Sequence, residues 1–410
     1  MKDFASRVFI GSLSCFIAFS NVVNASEKGT FSTSVGTQIT YDDNLYKINK
    51  DSELIRQLLT EYDLSDKVSS VFVSAQMNWD VSEQNLLADI TFRDNKYANN
   101  TQLDNIAKAY SAKWNWYASR RFTGFLSYKN DTQLANFTDN LEAALLASKN
   151  QNDTSEIAMY WQLHSRWKTR ISASESTTDY SGESLALNNK NTIHSQAELI
   201  FESEAKNSFS LLVSQRNIEY ENRLYVEGDT TDDEYRLSTV VLSSNYQLSE
   251  KSRITAQVKL RKLTPENITS AQDSDFSNWG FNVNYNWQPT MSTQLNATLV
   301  DEITPSQNIN TDFQRSRIAR FSALWQVLNK VYLEFEGEYI KRQFEYNTNT
   351  TNELDIAAKN TYRNASVSLV YTANEIIELQ IGYHFNNRRS NRLARNFDSN
   401  TTYASIVARF

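Results

Sequence analysis

Residues 330–341 read KVYLEFEGEYIK: Val331, Leu333, Phe335 and Tyr339 fall on one alternation, Glu334, Glu336 and Glu338 on the other. Successive side chains of a β-strand point to opposite faces, so the segment has one apolar face and one that carries three carboxylates. In a dry core such a face is ruinous, because buried charge without a partner is among the costliest things a fold can hold. The segment therefore belongs between an apolar medium and water. The wall of a transmembrane barrel supplies both, lipid outside and a wet lumen inside.

The same period of two runs along the chain. Val71, Val73, Ala75, Met77 and Trp79 alternate with Phe72, Ser74, Gln76 and Asn78, and Trp279, Phe281, Val283, Tyr285 and Trp287 alternate with Gly280, Asn282, Asn284 and Asn286. Eighteen such segments predict strands at about 31–41, 68–80, 85–94, 106–118, 120–130, 155–166, 169–178, 192–203, 208–219, 235–247, 252–262, 276–287, 292–301, 316–327, 330–341, 362–372, 375–386 and 400–410. Short polar turns such as Ser165–Lys168, Ser249–Lys251 and Ala373–Glu375 alternate with much longer connections, among them 42–66, 131–154, 220–234 and 387–398. That asymmetry belongs to an outer-membrane barrel with short periplasmic turns and long external loops, whereas neither end of a soluble sandwich need be longer. Tyr41, Trp79, Trp114, Trp116, Trp167 and Trp287 form the interfacial aromatics such a barrel needs. The expected fold is all-β: a single antiparallel transmembrane barrel of about 18 strands, with 16 as the alternative, filling residues 26–410. Residues 51–62, with Leu54, Ile55, Leu58, Leu59 and Tyr62 at spacings of three and four, predict a short amphipathic helix in the first external loop.

Residues 1–25 differ from the rest. Lys2 and Arg7 precede a mostly apolar run from Val8 to Phe19, and Val23-Asn24-Ala25 offers small residues for cleavage, the form of a secretory signal peptide. Its removal takes away Cys15, the only cysteine, so the exported chain holds together without disulfides. About five residues then precede the first strand, which leaves no segment for a plug domain. No later stretch approaches the roughly 20 apolar residues of a membrane helix. A formal charge of −7 argues against a nucleic-acid partner. His164, His194 and His384 sit on separate strands without a second His or Cys at ligand spacing, and neither Asp42-Asp43 nor Asp232-Asp233 lies in a calcium-loop pattern. No catalytic residue, metal site or cofactor is expected.

Charge is concentrated near the outer strand ends. Parity turns Lys259, Arg261, Arg320, Arg342 and Arg388 inward with Glu334, Glu336 and Glu338, as candidate lumen and rim contacts. It turns Arg317, Lys341 and Arg389 outward, toward lipopolysaccharide phosphates. Phe410 closes an alternating strand and is the candidate signal for the outer-membrane insertion machinery.

The opening strand and its sequel, FSTSVGTQITYDDNLYKI from Phe31 to Ile48, resemble the outer-membrane barrels encoded with exopolysaccharide biosynthesis genes, the EpsL-like or VpsM-like group. The resemblance rests on Tyr41, Asp42, Asp43, Asn44, Leu45 and Tyr46, and on the terminal aromatic Phe410. It implies a non-catalytic conduit for a secreted exopolysaccharide in the Gram-negative outer membrane, working beside a periplasmic polysaccharide export protein. Read from the residues alone, a passive porin for small polar or acidic solutes shares nearly all these features.

Overall fold

The computed structural model describes residues 30–51, 63–135, 147–226, 229–266, 276–305, 313–345, 359–391 and 395–410. The predicted signal peptide and residues 52–62 of the predicted helix lie outside them. The strands are β1 (Phe31–Asp42), β2 (Asp66–Val81), β3 (Gln84–Tyr97), β4 (Asn105–Ser119), β5 (Phe122–Leu134), β6 (Lys149–His164), β7 (Trp167–Tyr180), β8 (Lys190–Glu202) and β9 (Ser208–Val226). They continue as β10 (Asp229–Ser249), β11 (Ser252–Pro265), β12 (Phe276–Thr290), β13 (Thr293–Pro305), β14 (Phe313–Leu328), β15 (Val331–Glu345), β16 (Lys359–Thr372), β17 (Ile377–Ser390) and β18 (Phe397–Arg409). Each pairs antiparallel with its neighbours in sequence, and β1 pairs with β18 from Ser34 opposite Arg409 to Asp42 opposite Thr401. The sheet is a closed barrel of 18 strands, not 16.

Closure matters because hydrocarbon offers no partner to an unpaired backbone group. Among the described residues no helix is long and apolar enough to cross a membrane; the wall crosses with strands. Apart from Leu328, beyond the bulge at the end of β14, the large exposed apolar side chains keep one parity per strand: Val71, Val73 and Trp79 on β2, Ile157, Met159 and Trp161 on β6, Phe335 and Tyr339 on β15. That belt faces lipid and sets the protein in the outer membrane.

The periplasmic connections are tight. Ser82-Glu83, Arg120-Arg121, Ser165-Arg166, Glu250-Lys251, Met291-Ser292 and Asn329-Lys330 each join two strands directly. With few glycines available, non-glycine residues take the left-handed conformation: Ser82 has φ 57° and Lys206 φ 59°. Pairing slips at the periplasmic end of five returning strands, at Tyr117/Ser119, Gln162/His164, Gln247/Ser249, Trp287/Thr290 and Gln326/Leu328, and once at the external end of β10, at Thr231/Asp233. At the periplasmic ends a bulge raises the local twist to match the tight turn.

The external side departs from expectation at 220–234. What reads in sequence as an acidic loop is mostly strand, β9 running to Val226 and β10 resuming at Asp229. Strand β10 has 21 residues, about twice the roughly ten a tilted strand needs to span lipid, so this hairpin projects far above the membrane. Half of residues 387–398 is likewise strand, the ends of β17 and β18.

Two inward aromatics lie flat on the wall. Gly36 is opposite Phe72 and Gly382 opposite Tyr403, and a Cβ at either glycine would stand 2.4 Å from the partner's ring. The missing side chain is what lets each ring lie along the wall rather than jut across the lumen.

Candidate functional site

Inward parity makes the lumen face polar: Ser70, Ser172, Asn282, Asn284, Ser316, Asn364, Ser368 and Gln380 all point that way. Its fixed features are a folded segment at the outer mouth and two charged arcs on the wall.

The folded segment is residues 42–48. Asp42, at the end of β1, accepts from the Asn44 backbone N–H and the Ser399 hydroxyl at 2.9 Å each, from the Thr401 hydroxyl at 3.1 Å and from Lys47 Nζ at 2.6 Å. The Asn44 side-chain amide donates to the carbonyls of Ile48 and Asp398, both at 2.8 Å, which turns the chain back over the wall. Lys47, with φ 53°, makes the turn. Leu45, Tyr46 and Ile48 then form a small core with Leu103, packed by Leu64 and Ala147 from neighbouring connections and by Tyr97 and Leu134 from the ends of β3 and β5. The Tyr46 hydroxyl donates to Asn100 Oδ1 at 2.7 Å, and Asn100 is held by Asp66 through its backbone N–H (2.8 Å) and its side-chain amide (2.9 Å). Asp43 takes the outer side, accepting from the backbone and side chain of Asn400 at 2.7 and 2.8 Å. Burial would raise the pKa of Asp43, but these hydrogen bonds, with Lys50 at 3.4 Å, hold its carboxyl below the usual range.

The cationic arc runs around the inner wall from β3 to β11. Arg93 lies 4.7 Å above the Phe72 ring, Lys113 4.0 Å above Phe125 and Lys168 4.6 Å above Tyr160. Arg170 pairs with Glu156 at 2.9 Å. Farther on, His194 is the direct cross-strand partner of Arg216, and Lys259 and Arg261 share Glu302 at 3.9 and 3.4 Å. Arg261 also donates to the Ile303 carbonyl at 2.6 Å. Cations outnumber their acids on this arc, and stacking on rings fixes them without neutralising them.

The second arc is acidic and centres on β15. Glu334 accepts from the Ser368 hydroxyl at 2.9 Å, Glu338 accepts from the Asn364 amide at 3.0 Å and pairs with Arg320, and Glu336 lies between them on the same face. Thus the five inward cations named from sequence do not form one ladder. Lys259 and Arg261 stand on the cationic arc, and Arg320 is bound into the acidic one. Arg342 lies 5.2 Å over Tyr362, and Arg388, only 5% exposed, is held between Tyr362 and Phe397 and donates to the Arg395 carbonyl. Parity in the sequence does mark Arg93, Arg170 and Arg216 as inward, but Arg93 and Arg216 each stand alone on the inner face of their strands, and Arg170 has only Lys168 beside it. Only the pairing of β8 with β9 brings Arg216 to His194.

His164 lies at a periplasmic turn, His194 on the cationic arc, and His384 beside Asn386 at 2.8 Å. Among the described residues no three His, Cys, Asp or Glu gather to hold a metal ion.

Residues 274–410, a span that takes in β12 to β18, match the family model described as "Putative beta-barrel porin 2". No curated protein matches the chain. Among solved structures, OccK9 (OpdG) of Pseudomonas aeruginosa matches with 11% identity over 93% of this chain and 98% of that one, TM-score 0.52. OccAB4 of Acinetobacter baumannii matches with 8% identity over 94% of this chain and 100% of that one, TM-score 0.50. The siderophore receptor PirA of P. aeruginosa matches with 9% identity over 94% of this chain and 81% of that one, TM-score 0.47. These findings correct the resemblance to exopolysaccharide-encoded barrels: the family model that matches is the one described as a putative β-barrel porin, and the fold matched is that of Occ proteins. Neither the polysaccharide cargo nor the periplasmic export partner gains support from these matches. Residues 41–48, which carried that resemblance, have a local explanation in the folded segment at the mouth. The chain has the fold of an outer-membrane β-barrel, and its last third matches a porin family model.

Proposed function

We propose that the protein is a passive diffusion porin for small polar or acidic solutes. The observation that carries the reading is the lumen wall, on which an arc containing Arg93, Lys113, Lys168, Arg216, Lys259 and Arg261 is separated from Glu334, Glu336 and Glu338. Around 18 strands leave room for an aqueous channel, and charges of opposite sign on different walls orient a dipolar or anionic solute without a tight site. Lys259, Arg261 and Glu302 would act as weak lumen contacts, while Arg342 and Arg388 stiffen the outer rim through Tyr362. The same reading has residues 1–25 removed on export and Phe410 read by the insertion machinery.

Planar-bilayer recording on the purified protein tests it. A steady conductance with anion preference is expected, and Arg216→Gln, Lys259→Gln and Arg261→Gln together should shift that preference toward cations, more at low salt than high. Absence of conductance, or a selectivity indifferent to the triple substitution, would overturn the proposal.

A further inference from the structure

The outer surface of the barrel is charged unevenly. On β15 the lipid-facing residues run from Val331 through Leu333, Phe335, Gly337 and Tyr339 to Lys341. At about 3.3 Å per residue and a tilt near 40°, Val331 to Lys341 rises about 25 Å, the height of the apolar band of such barrels. Lys341 is therefore the first lipid-facing residue above hydrocarbon on the external side. Its neighbours at that level are also cationic. Arg317 is its direct partner on β14, Arg363 is opposite Tyr339 on β16, and Thr361, opposite Lys341, is in turn opposite Arg389 on β17. Arg315 and Lys359 lie one step higher on the same face.

Six cations thus share a patch four strands wide. Two acids border it, Asp301 with Arg315 (2.8 Å) and Arg317 (3.3 Å), and Asp398 with Arg389 (3.0 Å). Lys341, Arg363 and Lys359 are exposed and have no acidic partner within salt-bridge distance among the described residues. Elsewhere the outward cations near the external strand ends are fewer and mixed with acids: Lys108 on β4 and Lys262 on β11, with Glu175 and Asp179 on β7 and Glu219 on β9.

We propose that Arg317, Lys341, Arg363 and Arg389 form a binding site for the phosphorylated glycolipid of the outer leaflet. The phosphates would sit on the cations and the acyl chains would run down over Phe321, Phe335 and Tyr339. Phe321 and Phe335 already meet at 6.2 Å, giving a continuous apolar surface below the charges. Arginine suits the upper part because its fork binds a phosphate with two parallel hydrogen bonds.

The test is native mass spectrometry of the detergent-purified protein titrated with bisphosphorylated lipid A, its monophosphoryl form, phosphatidylglycerol and inorganic phosphate. Bisphosphorylated lipid A should bind most tightly. Lys341→Gln, Arg363→Gln and Arg389→Gln together should weaken it about 100-fold, from roughly fivefold per surface cation. The variant must keep the heat-modifiable migration of a folded barrel; Glu175→Gln with Asp179→Asn, on the acidic side, should leave binding unchanged. Equal affinity for phosphatidylglycerol, tight binding of free phosphate, or lipid A binding that survives the triple substitution would each overturn the site. So would a dimer in lipid-free detergent that the triple substitution abolishes, since the patch would then dock a second copy of the chain.

Discussion

Replacing Asp42 by Asn and Lys47 by Met, singly and together, isolates the ion pair that organises the outer mouth. The two side chains meet at 2.6 Å and are only 11% and 15% exposed, so water screens the pair poorly. Exposed pairs couple by about 0.2–1 kcal/mol, and breaking a fully buried one costs about 3–5 kcal/mol. This pair lies between those limits. Asp42→Asn strips the anion from Lys47 and one good acceptor from the Ser399 and Thr401 hydroxyls, a loss of about 3 kcal/mol. Lys47→Met leaves Asp42 with its three other donors and costs about 2 kcal/mol. If the two act on one another, the double variant loses about 3 rather than about 5 kcal/mol, a coupling near 2 kcal/mol. The assay is reversible urea unfolding of the barrel in phospholipid vesicles, followed by tryptophan fluorescence. Additive losses, with coupling below about 0.5 kcal/mol, would refute the view that this pair anchors the segment.

Asp43 gives a pH-dependent counterpart. Its folded pKa lies below the unfolded value, so its stabilisation is complete above about pH 4 and is lost as pH falls through the folded pKa; Asp43→Asn should therefore be less stable than the parent at pH 7 and equal to it near pH 2, as read by urea midpoints. Phe410 faces outward at the periplasmic end of the closing strand, where its backbone pairs with Thr33 at 2.7 and 2.9 Å. Phe410→Asp keeps that pairing but removes the aromatic, and should lower the heat-modifiable barrel in the outer membrane while export to the periplasm continues; unchanged barrel levels would count against recognition of the side chain.

Strand positions are legible wherever one face meets lipid, because the alternation of Phe321, Trp325 and Phe335 with Arg320, Gln326 and Glu334 has only one reading. Above the membrane both faces are wet and the marker disappears. Glu219, Tyr220, Glu221 and Asn222 carry no clear period, so β9 looks finished where it continues to Val226. The site is less legible than the wall because its pairs are made across strands. Arg320 meets Glu338, 18 residues away, and Arg388 is fixed by Tyr362 on β16 and Phe397 on β18. Parity tells which way an arginine points, but not whether a carboxylate or a ring waits there. Asp42, Asn44 and Tyr46 are a case of the same kind: the motif is conspicuous in sequence, and its partners Ser399, Thr401 and Asn100 lie far along the chain.

The meeting of the first and last strands bears on how the barrel comes to exist. Every other strand pairing of the sheet joins strands adjacent in sequence and can form hairpin by hairpin, whereas Asp42 reaches Ser399 and Asp43 reaches Asn400 across 357 residues. Bringing such ends together costs about 5 kcal/mol of chain entropy before any contact rewards it, so this junction forms last. Until then the sheet has two bare edges, each a template for pairing with another unfinished chain. Because the two carboxylates leave β1 on opposite sides of the wall, one can seize β18 from within and the other from without. They shorten the time during which a half-assembled barrel is open to aggregation.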